Sequence, residues 1–127
     1  MGFAARITTD GIIVELSGWA RLCCWRRAFE IPAEQIGTAC VRQRGELEPS
    51  IQHREYGIGT HDGSKRPGRT RLGAMLGRGV RGSQLWAVSA GPAERELVVA
   101  ELTDGRFRRA VIEVDDPTEA TETLRGG

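Results

Sequence analysis

The amino-acid sequence predicts a mainly β domain, either a partly open antiparallel barrel or two packed sheets, with one C-terminal capping helix. Three observations carry this prediction. Thr9-Asp10-Gly11 and Thr103-Asp104-Gly105 each separate two apolar segments, and Asp-Gly supplies the positive φ angles of a tight hairpin turn. Asp116-Pro117 opens a helix, with Asp116 as N-cap and Pro117 at the first helical position. Seventeen glycines in 127 residues exceed an average share of about 7% and favour many tight turns.

The elements follow in chain order. Arg6-Ile7-Thr8 and Ile12-Ile13-Val14-Glu15-Leu16 form the first hairpin, which Ser17-Gly18 closes. Trp19 to Trp25 is apolar without a clear period and continues as strand or irregular bend into Ala28-Phe29-Glu30-Ile31. Pro32 ends that strand because it has no N–H for a ladder bond. Pro32 to Ile36 reads as one helical turn before the strand Gly37-Thr38-Ala39-Cys40-Val41. From Arg42 to about Arg81 the period is lost. A loop of that length inside a compact domain is unusual, so a short strand or helical turn is expected around Ile51 to Tyr56 and another around Leu72 to Leu76. Gln84 to Val88, Glu96 to Leu102 and Phe107 to Val114 then read as strands joined in sequence, with a turn at Gly91-Pro92-Ala93-Glu94. The terminal helix carries Ala120 and Leu124 as its apolar stripe, and Gly126 is a plausible stop.

At 127 residues, with 39% apolar and 28% charged, the chain is expected to be one domain spanning 1–127, with an irregular basic insertion at about 42–81. No run approaches the roughly 18 apolar residues of a membrane span, no signal peptide is visible, and Arg6 stands where a myristoylation signal wants Ser or Thr. Cys23, Cys24 and Cys40 show no C-x-x-C spacing, which suits a reducing compartment, so a cytoplasmic protein is expected.

Net charge is only +1, but its distribution is uneven. The middle third is basic and the C-terminal third acidic, either as solvated faces or as an anion-attracting field. Lys65 stands alone among seventeen arginines, which reflects GC-rich coding or selection for forked anion contacts.

The order of elements resembles the pleckstrin-homology-like (PH-like) fold, in particular its small bacterial members. The likeness rests on the Ile7 to Leu16 hairpin followed by Trp19, on Phe29-Glu30-Ile31-Pro32 leading into Ile36, on the meander from Leu85 to Val114, and on the ending Val114-Asp115-Asp116-Pro117-Thr118-Glu119-Ala120. It implies a binding or assembly module rather than an enzyme. The long basic Arg42 to Arg81 region departs from a simple meander connection.

Candidate chemistry is sparse. Gly77-Arg78-Gly79-Val80-Arg81-Gly82 matches the dinucleotide spacing G-x-G-x-x-G, but no buried strand is expected before it and a strand rather than a helix is expected after it. Gly63-Ser64-Lys65 has Ile58 where a phosphate loop needs glycine. His53 and His61, with Glu55 and Asp62 nearby, lack the tight spacing of zinc ligands, and no nucleophile is tied to a base. No metal or cofactor is therefore expected. Lys65, Arg66, Arg69, Arg71, Arg78 and Arg81 are either a solvated basic loop or a site for an anion such as a phosphate, lipid head group or nucleic acid. Tyr56 is the aromatic residue near them, which weighs against base stacking. Trp19, Trp25 and Trp86 are core residues, or an interface if exposed.

The expected role is a non-catalytic binding or assembly module, with anionic-ligand binding through the basic 65–81 loop as the alternative and a small enzyme as the second alternative. A protein partner, self-association and an anionic lipid or other polyanion all remain open. For self-association through a strand edge, Ile12-Ile13-Val14 and Leu97-Val98-Val99 need burial on both sides or a second subunit, whereas Arg106 to Arg109 is defended by three arginines.

Overall fold

The computed structural model of the chain describes residues 3–18, 27–47, 51–58, 70–77 and 83–126. Strand β1 (Phe3–Thr8) turns through Thr9-Asp10 into β2 (Gly11–Leu16), and β3 (Ala28–Pro32) pairs with the far side of β2. At the turn the Asp10 N–H donates to Thr8 Oγ1 at 3.1 Å. Gly11 has φ of +133°, and a Cβ there would lie 2.0 Å from the Ile31 carbonyl oxygen. Glycine is required because β3 crosses Gly11 at close range, opposite Pro32. A 3-10 turn (Ala33–Gln35) follows as expected and leads into β4 (Ile36–Gln43).

A one-turn helix (Arg44–Leu47) comes next, then β5 (Ile51–Ile58), β6 (Arg71–Gly77), β7 (Ser83–Val88), β8 (Glu96–Leu102) and β9 (Phe107–Ile112). The two short structured pieces expected between Arg42 and Arg81 are full strands. Periodicity was silent there because β6 is buried from Arg71 through Met75, so neither face asks for polar residues. The stretch from Trp19 to Trp25 lies outside the described residues.

The nine strands make two sheets, packed face to face and not closed into a barrel. One has the order β1-β2-β3; the other runs β4-β8-β9-β7-β6-β5. This corrects the expectation of strands joined in sequence. Strand β9 inserts between β7 and β8 and pairs parallel to β7, with Leu85 opposite Ala110 and Trp86 opposite Val111. The 89–95 connection is long enough to step over one intervening strand, about 4.8 Å from each neighbour. Chain adjacency therefore did not fix sheet adjacency.

Ile12, Val14, Leu16, Phe29 and Ile31 of the smaller sheet form one core with Leu72, Ala74, Leu85, Ala87, Ala100, Leu102, Phe107, Ala110 and Ile112 of the larger. The registers align Ala74, Leu85, Ala110, Ala100 and Ala39 in one row across five strands. Small side chains along this row leave room for the large residues opposite. Phe29 meets Phe107 edge-to-face at 5.8 Å. The other face of the larger sheet is buried as well, through Met75, Trp86, Val88, Leu97, Val99 and Val111 packed with Leu47 of the one-turn helix.

The C-terminal helix (Pro117–Gly126) starts as the sequence requires: the Glu119 N–H donates to Asp116 Oδ1 at 3.0 Å. It buries Ala120, packs Leu124 on the core and lies against β1, β4 and β8.

Gly11→Ala should cost more than about 3 kcal/mol, because the added methyl meets backbone that cannot move without breaking the β2–β3 pairing. Gly18→Ala, at φ of +55° with no atom near the new methyl, should cost only about 1 kcal/mol. Urea unfolding of the two variants measures the difference.

Candidate functional site

Of the six basic residues read as an anion site, only Arg71 is among the described residues. It sits in β6 opposite Val88 and is 2% exposed, so it belongs to the sheet and not to a surface loop. Lys65, Arg66, Arg69, Arg78 and Arg81 lie outside the described residues. Gly77 ends a strand and Ser83 begins another, which denies the glycine motif its helix. His53 and Glu55 are on β5, while His61 and Asp62 are outside the described residues. No group of three or more His, Cys, Asp or Glu that could hold a metal occurs among the described residues. Trp86 is fully buried and its indole N–H donates to Gln84 Oε1 at 3.2 Å; Trp19 and Trp25 fall outside, as do Cys23 and Cys24.

The structure gathers two polar features that sequence reasoning missed. The first joins the ends of β7, β8 and β9. The Ser89 N–H donates to Glu113 Oε1 at 2.9 Å, the Ser89 hydroxyl donates to the same oxygen, and Arg95 donates to Glu113 Oε2. Arg44, itself buried, donates to the Ser89 carbonyl, and its own N–H donates to the Arg95 carbonyl at 2.8 Å. Ser89, Arg95 and Glu113 border an open depression of about 600 Å³ that also touches Phe3, Ala5 and Asp115. Both Glu113 carboxylate oxygens are engaged, so the carboxylate holds the 89–95 connection to β9. In the sequence Glu113 resembled any outward strand residue, and no local signal separated it from Glu101.

The second feature is the outer edge of β4. Arg44 N–H bonding the Arg95 carbonyl marks 44 and 95 as a hydrogen-bonded antiparallel pair. Such pairs alternate, so Arg42, Cys40 and Thr38 bond β8, while Gln43, Val41 and Ala39 turn their backbone groups away from it. Two side chains confirm the parity. Arg125 Nε donates to the Ala39 carbonyl at 2.9 Å, and Glu46 Oε1 accepts from the Gln43 N–H at 3.4 Å. Ala39 N–H and both Val41 backbone groups have no partner among the described residues, whereas the Gln43 carbonyl accepts from the Leu47 N–H in the first turn of the one-turn helix. A groove of about 610 Å³ runs beside this edge between the 3-10 turn and the end of the C-terminal helix, floored by Ile36, Ala39 and Leu124.

Of the other edges, β3 is five residues long and ends in Pro32, and β1 lies against the C-terminal helix, while β5, also eight residues long, forms the opposite edge of the larger sheet and pairs with β6 through two register shifts. Of the two alternatives for the apolar strands, cover by the same chain holds and a second subunit is not needed. Ile12-Ile13-Val14 is in the central strand of the smaller sheet, and Leu97-Val98-Val99 lies between β4 and β9, so both are buried by strands of the same chain. Arg106 to Arg109 borders an interior strand and needs no defence of an edge.

No protein family, curated protein or solved structure matches this chain.

Replacing Glu113 by Ala leaves the Ser89 N–H, the Ser89 hydroxyl and the Arg95 guanidinium without their acceptor, and about 2 kcal/mol of stability should be lost. Glu15→Ala removes an ion pair with Arg6 whose side chains are 63% and 57% exposed, and should cost less than about 1 kcal/mol. The shift in urea midpoint compares the two.

Proposed function

We propose that this chain is a non-catalytic binding or assembly module, of the kind the PH-like resemblance implies, and that its contact surface is the edge of β4 with the adjoining groove. One observation carries the reading: the Ala39 N–H and both Val41 backbone groups, on an eight-residue edge strand, have no partner among the described residues, and an apolar-floored groove flanks them. Such an edge accepts an added strand, with main-chain bonds supplying affinity and the groove supplying side-chain selectivity. The chemically capable side chains support the same view. Ser89, Glu113 and Arg95 satisfy one another, and Trp86 is buried.

A photo-crosslinking residue at exposed Thr38 or Gln43, introduced in the cells that express the chain, should give discrete adducts. The same residue at exposed Thr118, at the start of the C-terminal helix, should give none. Adducts equally abundant at all three positions, or absent from β4, overturn the assignment.

A further inference from the structure

Resting on that reading, we infer that the β4 edge takes the C-terminal end of an extended peptide, added antiparallel to β4, with an apolar last residue whose α-carboxylate is held by the Ala39 N–H and the Arg125 guanidinium. The donor set at Ala39 points to this ligand. Its N–H is open on the outer side of the strand, while its carbonyl accepts from Arg125 Nε at 2.9 Å. In extended backbone the N–H and C=O of one residue project from the same side, so the guanidinium stands beside the open N–H. Arg125 is exposed and bonds no carboxylate among the described residues. A backbone donor next to an uncompensated guanidinium suits a carboxylate, and such charge-assisted bonds are about twice as strong as neutral ones.

The open groups set the register. A peptide residue opposite Val41 exchanges both main-chain bonds with it, and the residue two further on falls opposite Ala39. There the carboxylate accepts from the Ala39 N–H, and the N–H of that last residue shares the Ala39 carbonyl with Arg125, since the oxygen has two lone pairs. Charge sets the direction. Antiparallel pairing brings the C-terminal end of the peptide to Arg125, whereas parallel pairing would bring it to Gln43, whose N–H is taken by Glu46. Glu46 at that end instead favours a basic residue on the N-terminal side of the peptide. Side chains of directly opposed residues share a face, so the last side chain lies with Ala39 over the groove of about 610 Å³ floored by Ile36, Ala39 and Leu124, which suits an apolar group. Glu34 lines the same groove and turns away an acidic one.

Fluorescence anisotropy of the full chain with fluorescein-labelled Lys-Thr-Val-Thr-Val tests the inference, compared with the same peptide as its C-terminal amide and with one ending in Asp. The free acid ending in Val should bind about tenfold or more tighter than either, the worth of one charge-assisted bond. Arg125→Gln should weaken the free acid by about tenfold and leave the amide unchanged. Val41→Pro removes an N–H that β8 does not use, so circular dichroism should persist while every peptide loses affinity. Equal affinity for acid and amide, equal affinity for the Val and Asp endings, a preference for the acid that survives Arg125→Gln, or no binding of the free acid overturns the inference. Photo-crosslinked adducts at Thr38 and Gln43 beside any of those results leave the binding-module reading standing, whereas loss of the adducts overturns that reading too.

Discussion

Ala39, Ala100, Ala110 and Ala74 lie in one row with Leu85 across the larger sheet, and the seating of the smaller sheet over that row is the constraint on which the rest of the structure depends. Large residues on both sheets would hold them apart and leave voids, each of which costs stability in proportion to its volume. With methyl groups on one side, Ile12, Val14 and Phe29 reach full burial, at about 1.5–3 kcal/mol per side chain. The row also fixes register. A slip by one residue in β8 or β9 would put a valine or a charge where a methyl group stands.

The insertion of β9 between β7 and β8 decides which strands end at an edge. It places β8 and β9 in the interior, paired on both sides, with Leu97 to Ala100 and Ala110 to Ile112 buried. One outer position then falls to β4, in which only Ala39 is fully buried, as suits a strand with one neighbour. The same insertion requires a connection from β7 to β8 that bends around the end of β9. Glu113 at that end gathers Ser89 and Arg95 from the connection, so the polar cluster is a consequence of the topology.

At the β4 edge the chain uses charge to occupy part of what it leaves open. Arg125 on the Ala39 carbonyl and Glu46 on the Gln43 N–H shorten the unsatisfied stretch to the middle of the strand. Edge strands are commonly defended by charge, and a partial defence selects among pairing partners because only a strand of compatible register and charge can displace it. The groove beside the edge adds a side-chain criterion to the backbone one.

Local signals determined the local elements. Asp10-Gly11 and Asp104-Gly105 placed both hairpins, Pro32 and the 3-10 turn separated β3 from β4, and Asp116-Pro117 started the helix, because each depends on φ, ψ and a hydrogen bond within a few residues. The alternation of Ile12, Val14 and Leu16 likewise named an inner face. Tertiary structure alone decided the rest. Arg71 looked like a member of a basic loop and is a buried strand residue; whether the same chain or a second subunit covers Leu97-Val98-Val99 was open until β4 and β9 were placed beside it; and Glu113 gathers Ser89 and Arg95 from the connection between two other strands. Each of these depends on which strand lies alongside, and that choice is set by long-range packing of two sheets, which leaves no period or spacing in the chain.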